Sequence, residues 1–258
     1  MGNDTFDAYS AYYDLLYHDK DYEGETGYVL KLLSKHMQPV RSVLDLGCGS
    51  GRHVACMARQ GLDATGIELS ESMHGRALAL RAALDSTIAQ RIEFIRGDAR
   101  SVRTGRHYDA VTALFHVASY QTTNADLRLF FQTAAEHLKP GGLFLFDCWY
   151  GPAVLTSRPE QRVRDVRDAT ARIIRFTRPT LRINDNVVEV LFSVLATPTE
   201  CIDWKEFEEI HSMRYLFLPE VRMFLEGTGL QLVASEEFLS GKPLGEATWN
   251  ACFVGRKQ

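Results

Sequence analysis

The stretch Val43-Leu44-Asp45-Leu46-Gly47-Cys48-Gly49-Ser50-Gly51-Arg52 decides the fold of this chain. It combines a short apolar strand, three alternating glycines and the start of a helix. Glycine at every second position lets the backbone turn sharply and approach a ligand closely, because no Cβ stands in the way. The pattern predicts a nucleotide-type binding turn, although a tight strand-to-helix turn without a ligand has the same spacing.

Two other glycine-rich patterns do not fit this turn. The dinucleotide pattern Gly-x-Gly-x-x-Gly requires glycine at position 52, where Arg52 stands. A phosphate-binding Walker loop ends in Gly-Lys followed by Ser or Thr, which this stretch lacks. The turn therefore belongs to neither of these classes.

The composition is that of an ordinary globular protein, with 258 residues, 45% of them hydrophobic and 24% charged. A net charge of −4 without a block of like charge argues against nucleic acid or a membrane surface as a partner. The N-terminus has no secretory pattern, and no apolar run approaches membrane-spanning length. Five scattered cysteines favour reduced thiols over disulfides or a metal site. We therefore expect a cytoplasmic protein with small-molecule partners.

Strands and helices alternate between residues 24 and 150. The predicted strands are 43–46, 63–68, 91–95, 108–115 and 143–146, and the predicted helices are 24–37, 52–60, 70–84 and 125–138. Such alternation predicts parallel strands joined by right-handed crossovers, with helices on both faces of the sheet. We therefore predict an α/β fold with a doubly wound, mostly parallel sheet of seven strands, completed by a C-terminal helix and hairpin in residues 219–258.

Residues 151–218 interrupt this pattern with strand-like runs. The stretches 171–177, 181–194 and 208–218 carry no helix periodicity, and Asn184-Asp185-Asn186 is typical of a turn between two strands. We predict an inserted small antiparallel sheet of three or four strands. Its place in the sequence suggests that it folds over the crevice and forms part of an acceptor pocket.

The N-terminal residues 1–23 are rich in tyrosine. Five tyrosines lie between residues 6 and 22 among charged side chains. One interpretation is a helix that packs on the domain with its hydroxyls in water. The other is a lid helix that closes over the glycine turn, where aromatic faces would attract a cation within about 6 Å. The sequence leaves both open.

The carboxyl ends of parallel strands should meet in one crevice, which is where open α/β sheets bind ligands. Glu68 ends the second strand, 17 residues after Gly51, close to the spacing at which an acid reaches ribose hydroxyls in dinucleotide folds. Asp98 follows the third strand, where it could accept a hydrogen bond from an adenine amino group or cap the next turn. These positions together predict a nucleoside site.

Four motifs in this order resemble the class I S-adenosylmethionine-dependent methyltransferases: residues 45–51, 66–70, 97–99 and 138–142. The resemblance implies S-adenosyl-L-methionine as the cofactor. It also implies that Gly47, Cys48 and Gly49 contact the methionine moiety, that Glu68 holds the ribose, that Leu69 and Met73 flank the adenine, and that Asp98 and Ala99 read its edge. The other cofactor-binding residues that it implies are Tyr13, Tyr22, Asp45, Arg52 and Leu114.

The tyrosine-rich start, the inserted sheet and the strand around residues 209–215 are similar to small-molecule N-methyltransferases that dimethylate nucleotide-linked amino sugars. The stretch Phe115-His116-Val117-Ala118-Ser119-Tyr120 departs from the Phe-Ser-Ser pattern expected there. The acceptor therefore stays open between an amine and a hydroxylated metabolite. A cofactor-binding subunit without catalytic activity is a further alternative, and the chain is expected to be a monomer or a homodimer.

Methyl transfer from a sulfonium is an in-line displacement that depends on alignment of donor and acceptor. An alkylamine with a pKa of about 10.4 must also lose a proton before it can react. The candidate catalytic residues are His116, His211 and Tyr13, with the Tyr120 hydroxyl as a further possibility. His116 is best placed because it follows the fourth strand, and the ordinary pKa of histidine suits the role.

The inserted strands also carry several arginines. Arg172, Arg175, Arg178 and Arg182 could bind the phosphates of a nucleotide-linked acceptor. The alternative is that most of them form a solvated sheet edge.

Overall fold

The structure is a computed structural model that describes residues 15–199 and 204–258. Tyr13, predicted both as a catalytic and as a cofactor-binding residue, lies outside the described residues. So do Cys201 and most of the tyrosine-rich start.

The predicted alternation of strands and helices is confirmed. The helices are α1 (Tyr22–His36), α2 (Arg52–Arg59), α3 (Glu71–Ala82), α4 (Ser86–Ala89), α5 (Asn124–Glu136), α6 (Gly151–Thr156) and α7 (Leu218–Glu226). The strands are β1 (Ser42–Leu46), β2 (Asp63–Glu68), β3 (Ile92–Arg96), β4 (Tyr108–Ala113), β5 (Leu138–Tyr150), β6 (Arg162–Arg167), β7 (Ala171–Arg182), β8 (Val187–Pro198), β9 (Lys205–Leu216), β10 (Leu230–Glu237) and β11 (Asn250–Lys257). Short 3₁₀ helices span Val117–Tyr120 and Ile183–Asp185.

Local sequence explains where the helices beside the glycine turn begin. The Asp21 side chain accepts the backbone N–H of Gly24 at 2.8 Å and caps α1. Ser70 caps α3 by accepting the N–H of Met73, as the sequence predicts. These caps fix two helix N-termini near the carboxyl edge of the sheet.

The central sheet has the order β3-β2-β1-β4-β5, with all five strands parallel. Strand β11 pairs with β5 in the antiparallel sense and β10 pairs with β11, so the C-terminal hairpin completes the sheet as predicted. Phenylalanines fill one face under α5 and α7, and Phe130, Phe131, Phe144, Phe146 and Phe253 are fully buried. Each such side chain contributes about 1.5–3 kcal/mol through burial.

The predicted number of seven strands is wrong for the sheet as a whole, which contains eleven strands within the described residues. Strand β5 is much longer than the predicted 143–146 and extends past the end of β4, where Ala113 pairs with Phe146. Its last residues, Trp149 and Tyr150, pair instead with Tyr215 and Leu216 of β9. This pairing satisfies their backbone groups and joins the inserted sheet to the central one.

The insertion is a four-stranded antiparallel sheet, β6-β7-β8-β9. Its register places Glu209, His211 and Met213 of β9 on one face, opposite Phe192, Val190 and Val188 of β8. This face also carries the fully buried Ile173 and Val194, which pack with Leu16 from the N-terminal segment. It is therefore the covered face of the insertion.

Within residues 15–199 and 204–258, no helix combines the length and apolar character needed to cross a membrane. Four cysteines of this part of the chain, Cys48, Cys56, Cys148 and Cys252, are buried and carry free thiols.

Candidate functional site

The glycine turn after β1 has the conformation that its sequence predicts. Gly47, Gly49 and Gly51 have φ angles of +74°, +56° and +78°, a region that L side chains rarely adopt. The N–H groups of Gly47 and Cys48 both donate to the carbonyl of Ile67 in β2, at 2.8 and 2.9 Å. A Cβ on Gly47 would lie 2.7 Å from a methyl carbon of Val117. Both the conformation and the close approach therefore require glycine at position 47.

The Glu68 carboxylate at the end of β2 lies against this turn. Its Oε2 accepts the N–H of Gly49 at 2.8 Å, and its Oε1 accepts the N–H of Ser70 at 2.8 Å. Burial raises the pKa of Glu68, and the two backbone hydrogen bonds oppose that shift. The carboxylate is therefore fixed between the glycine turn and the start of α3, where the ribose is predicted to bind.

The residues predicted for the adenine lie on both sides of Glu68. Leu69 is 45% exposed, which is unusual for a leucine beside a buried strand, whereas Met73 is buried. A Cβ on Gly49 would lie 3.4 Å from the Met73 Cε, so this methionine packs against the glycine turn. Ala99 is partly exposed beside the end of β3. An exposed and a buried apolar side chain next to one carboxylate suit a purine ring.

Asp98 has mainly local partners. Its carboxylate accepts the backbone N–H of Arg100 at 2.8 Å and the Arg100 guanidinium at 2.6 Å. These bonds to Arg100 lower the pKa of Asp98. The geometry is that of a capped turn, which is the second of the two interpretations given above, and contact with the adenine stays a prediction.

Asp45 lies at the base of the glycine turn and is 2% exposed. It accepts the hydroxyl of Thr112, its register partner on β4, at 2.7 Å. Burial raises the pKa of Asp45 to about 6. Next to it, the Cys48 side chain points toward Gly66, where a Cβ would lie 2.6 Å from the sulfur, and Leu114 is buried. The Cys48 thiol is therefore directed into the sheet, and contact of residue 48 with a ligand stays a prediction.

Tyr22 and Arg52 meet on the opposite side of the turn. The Arg52 guanidinium lies 5.4 Å from the centre of the Tyr22 ring, and the Tyr22 ring contacts the His53 ring at 4.9 Å. Both predicted residues therefore belong to one cluster above the first turn of α2.

The same cluster contains three residues that the sequence pattern did not single out. Glu25 pairs with Lys20 and accepts a hydrogen bond from His53 at 2.8 Å. The Lys20 ammonium lies 4.2 Å from the centre of the Phe115 ring. Glu25 lies on α1, His53 on α2 and Lys20 in the segment before α1. The sequence does not show that these three side chains meet, because their contact depends on how α1 packs on α2.

The N-terminal segment 15–21 connects the insertion to the crevice. Leu16 is fully buried in the cluster with Ile173, and Asp19 pairs with Arg164 of β6 at 3.0 Å. Tyr17 contacts the Phe115 ring edge-on at 5.2 Å. A helix over the whole of 1–23 is not seen in this part, because residues 17–19 form a turn before α1 begins. The contacts fit the lid interpretation, which stays a prediction.

His116 lies at the end of β4 in a strained backbone. Phe115 and His116 have φ angles of 65° and 67°, which cost energy in residues with a side chain. The N–H of His116 donates to Asp147 Oδ1 at 3.1 Å, and the ring Nδ1 lies 2.9 Å from Oδ2, off the line of a hydrogen bond. Burial alone would raise the pKa of Asp147, but the contacts with His116 lower it overall. His116 is thus held against an ionised carboxylate.

His211 of β9 is also brought to the crevice, through Tyr120. The Tyr120 hydroxyl lies 2.9 Å from His211 Nδ1, and His211 Nε2 lies 3.3 Å from Glu209 Oε2. His211 is 4% exposed and Glu209 6% exposed, whereas Tyr120 is partly exposed. His211 therefore reaches the crevice indirectly. The sequence predicts that Glu209 and His211 share a face, but it does not predict their contact with Tyr120.

The four arginines that the sequence suggests for phosphate binding divide into two groups. Arg172 pairs with Asp165, Arg178 with Glu208, and Arg182 with both Asp185 and Glu189. These three are half-exposed on the outer face, which favours the solvated-surface interpretation. Arg175 instead lies over the Phe192 ring at 4.5 Å, on the covered face with His211.

Comparison with known proteins identifies the kind of site. The model of a methyltransferase domain matches residues 43–142, which contain the glycine turn, Glu68 and Asp98. The chain is 29% identical over 247 residues to dTDP-3-amino-3,4,6-trideoxy-alpha-D-glucopyranose N,N-dimethyltransferase of Streptomyces venezuelae, covering 94% of this chain and 95% of that protein. Residues 43–142 therefore form an S-adenosylmethionine-dependent methyltransferase domain.

Solved structures of other methyltransferases share the fold. Streptomyces venezuelae DesVI superposes with a TM-score of 0.80 at 23% identity, covering 97% of this chain and 98% of that one. The sugar N-methyltransferase KedS8 from Streptoalloteichus superposes with a TM-score of 0.80 at 23% identity, covering 95% of this chain and 92% of that one. The insertion is thus part of an architecture that these methyltransferases have in common.

The residues of this methyltransferase fit S-adenosylmethionine. Glycines with positive φ form the turn after β1, and an acid that can accept two ribose hydroxyls stands at the end of β2. The exposed Leu69 beside that acid offers an apolar surface to a purine. Asp45 supplies a buried carboxylate near the end of the site where a cationic methionine moiety would lie.

Proposed function

We propose that this methyltransferase transfers a methyl group to the amine nitrogen of a small-molecule acceptor, and that the acceptor is a nucleotide-linked amino sugar. The observation that carries the proposal is a similarity that includes the insertion. Besides the Streptomyces venezuelae relative, dTDP-4-amino-2,3,4,6-tetradeoxy-D-glucose N,N-dimethyltransferase of Saccharopolyspora spinosa is 29% identical over 258 residues, covering 98% of this chain and 92% of that protein. Similarity that ended with the cofactor motifs would say little about the acceptor.

The cofactor is proposed to bind at the carboxyl ends of β1 to β4. Bound S-adenosylmethionine supplies an electrophilic methyl group on a sulfonium. Glu68 accepts the ribose hydroxyls, Leu69 and Met73 enclose the adenine, and Asp98 and Ala99 lie at its edge. The methionine end lies against Gly47, Cys48 and Gly49, with Tyr22, Asp45, Arg52 and Leu114 around it. The chain thus contributes orientation, which is the main requirement of an in-line displacement.

His116 is proposed to accept the proton that the acceptor ammonium must lose. Asp147 is buried and ionised next to the ring, so it stabilises the imidazolium that forms. The His116 side chain is 21% exposed, so it can pass the proton on to water. General-base catalysis of this kind contributes roughly 10²–10⁴-fold to the rate.

The insertion, residues 151–218, is proposed to form the acceptor side of the crevice. The segment before α1 serves as the lid, residues 24–150 bind the cofactor, and residues 219–258 complete the sheet. Leu16 and Asp19 support this arrangement, because they attach the segment before α1 to the insertion. The protein acts on a small molecule and not on nucleic acid, as a monomer or a homodimer. We place it in the cytoplasm, where buried free thiols such as those of Cys48 and Cys252 stay reduced.

The test compares two acceptors that differ in one group. Purified protein is incubated with S-adenosylmethionine and either a dTDP-linked amino deoxysugar or its hydroxyl counterpart, and release of S-adenosylhomocysteine is followed. We expect turnover with the amine and none with the alcohol. Turnover with the alcohol alone would show that the enzyme is an O-methyltransferase and would contradict the proposal. Cofactor binding without turnover across a panel of amino sugars and small amines would indicate a non-catalytic subunit.

A further inference from the structure

We propose that the Tyr120 hydroxyl oxygen accepts an N–H of the acceptor amine, and that His211 and Glu209 fix the hydroxyl in the orientation that allows this. The inference deepens the proposed function and rests on it, because it requires an acceptor with hydrogen on the reacting nitrogen. It gives the buried His211 a positioning role, separate from the proton acceptor His116.

Tyr120 is held at the crevice by its neighbours in the Val117–Tyr120 helix. Val117 packs on Gly47 of the glycine turn, and the Ser119 hydroxyl accepts the N–H of Trp149 at 3.0 Å. The segment is therefore anchored to the cofactor turn on one side and to β5 on the other. From this anchored segment the Tyr120 side chain extends to the insertion, where it meets His211.

Burial and nearby charges act on the Tyr120 hydroxyl in the same direction. Burial raises the pKa of Tyr120, and the charges of Tyr17, Glu209 and Glu68 raise it further. These groups come from the lid segment, the insertion and the end of β2. The hydroxyl lies 2.9 Å from His211 of the insertion, and Val117 of the same short helix packs on Gly47, so Tyr120 lies between the cofactor turn and the insertion. The raised pKa also keeps it protonated, so it interacts as a neutral hydroxyl.

The hydrogen-bond chain determines which way the hydroxyl points. The Glu209 carboxylate can only accept, so we place the ring hydrogen of His211 on Nε2. Nδ1 is then an acceptor, and the Tyr120 O–H must donate to it. Because the Tyr120 hydroxyl donates its hydrogen to His211, its oxygen can accept a hydrogen bond from another group. An amine N–H is a suitable partner.

This orientation serves methyl transfer directly. An amine that donates an N–H to a fixed oxygen has its lone pair directed away from that oxygen. The bond therefore limits rotation of the amine and holds the lone pair in line with the methyl group. Displacement of the amine nitrogen by about 1 Å lowers the rate as much as 10²-fold, so loss of this hydrogen bond should lower kcat.

The test uses three variants. Tyr120→Phe removes the hydroxyl, Glu209→Gln weakens the hydrogen bond to His211, and Glu208→Gln is a matched control. Glu208 is next to Glu209 in the sequence but lies on the outer face, where it pairs with Arg178. We expect Tyr120→Phe to lower kcat about 10²-fold with unchanged affinity for S-adenosylmethionine. Glu209→Gln should lower kcat less, and Glu208→Gln should behave as the wild type. Calorimetric titration of each variant with S-adenosylmethionine shows that it is folded.

A second measurement needs no acceptor. In protein with ¹⁵N-labelled histidine, the ring shifts of His211 should show hydrogen on Nε2 and none on Nδ1, and Tyr120→Phe should shift the Nδ1 resonance. Hydrogen on Nδ1 would overturn the inference, as would wild-type kcat in a cofactor-binding Tyr120→Phe. If the wild type itself methylates no amine, the proposed function fails and this inference fails with it.

Discussion

The carboxylate of Glu68 accepts the backbone N–H of Gly49 at 2.8 Å, although the two residues lie on different sides of the α2 crossover. The bond connects the end of β2 to the glycine turn after β1. Glu68 is therefore placed to shape the turn as well as to meet the ribose, so the two halves of the predicted cofactor site depend on one side chain.

Replacing Glu68 should weaken cofactor binding more than replacing Asp98. Glu68→Ala removes the two charge-assisted hydrogen bonds that we propose to the ribose and also frees the Gly49 N–H, whereas the Asp98 carboxylate is already engaged by Arg100. At about 1.5–3 kcal/mol for a bond to a charged group, the loss for Glu68→Ala is roughly 10²-fold or more. Calorimetric titration with S-adenosylmethionine measures both variants. Equal losses would contradict the ribose assignment.

The glycine turn allows a test with an internal control. Gly47 and Gly61 have φ angles of +74° and +90°, so alanine at either position costs about 1–2 kcal/mol of backbone strain. Only at Gly47 would the new Cβ lie 2.7 Å from Val117, whereas the space beside Gly61 is open to 4 Å. Gly47→Ala should lower the free energy of unfolding by about 1–3 kcal/mol more than Gly61→Ala and should weaken cofactor binding. Denaturant unfolding with parallel titrations checks this, and equal effects would contradict a packed turn.

Cofactor affinity should depend on pH through Asp45. Its pKa of about 6 without ligand means that the carboxyl is protonated at lower pH. A bound cation favours the ionised form and lowers that pKa, so binding below it releases a proton. We predict that affinity for S-adenosylmethionine falls from about pH 7 to about pH 5 and that Asp45→Asn flattens the dependence. Glu68, whose pKa is also raised by burial, contributes in the same direction, so Glu68→Gln is titrated in parallel. An unchanged slope in Asp45→Asn would exclude Asp45 as the source.

His116→Phe should lower turnover and leave cofactor affinity intact, because the ring contacts Asp147 and is not among the residues proposed to bind the cofactor. Loss of a general base costs roughly 10²–10⁴-fold in kcat. His107→Phe, at an exposed position before β4, is the matched control and should keep wild-type turnover. Steady-state kinetics with the amine acceptor measures both. Wild-type kcat in His116→Phe would assign the proton transfer to another residue.

The sequence predicts the cofactor half of the site because its signals are local. The glycines, the cap at Ser70 and the acid at Glu68 all lie within one or two elements, and their positions follow from strand and helix periodicity. The same periodicity does not predict that β5 continues to Tyr150, since Asp147 interrupts its apolar run after Phe146. The extra residues at the end of β5 pair with β9 and thereby join the inserted sheet to the central one.

The acceptor half depends on contacts between distant residues. Tyr120 and His211 are 91 residues apart, and Lys20 meets Phe115 across the crevice. Their meeting is set by the register of β8 with β9 and by the path of the segment before α1, which no short motif encodes. Likewise, the contact between His116 and Asp147 needs the left-handed backbone of Phe115 and His116, and β-strand patterns give no sign of it.

The most direct test of the account is to identify the atom that receives the methyl group. Protein is incubated with S-adenosylmethionine carrying a ¹³C-labelled methyl group and a dTDP-linked amino sugar, and the product is examined by heteronuclear NMR. We predict a labelled methyl group bonded to the amino nitrogen and one S-adenosylhomocysteine released for each methyl group transferred. A labelled methyl group on a sugar oxygen, or an unmodified sugar in the presence of bound cofactor, would contradict it.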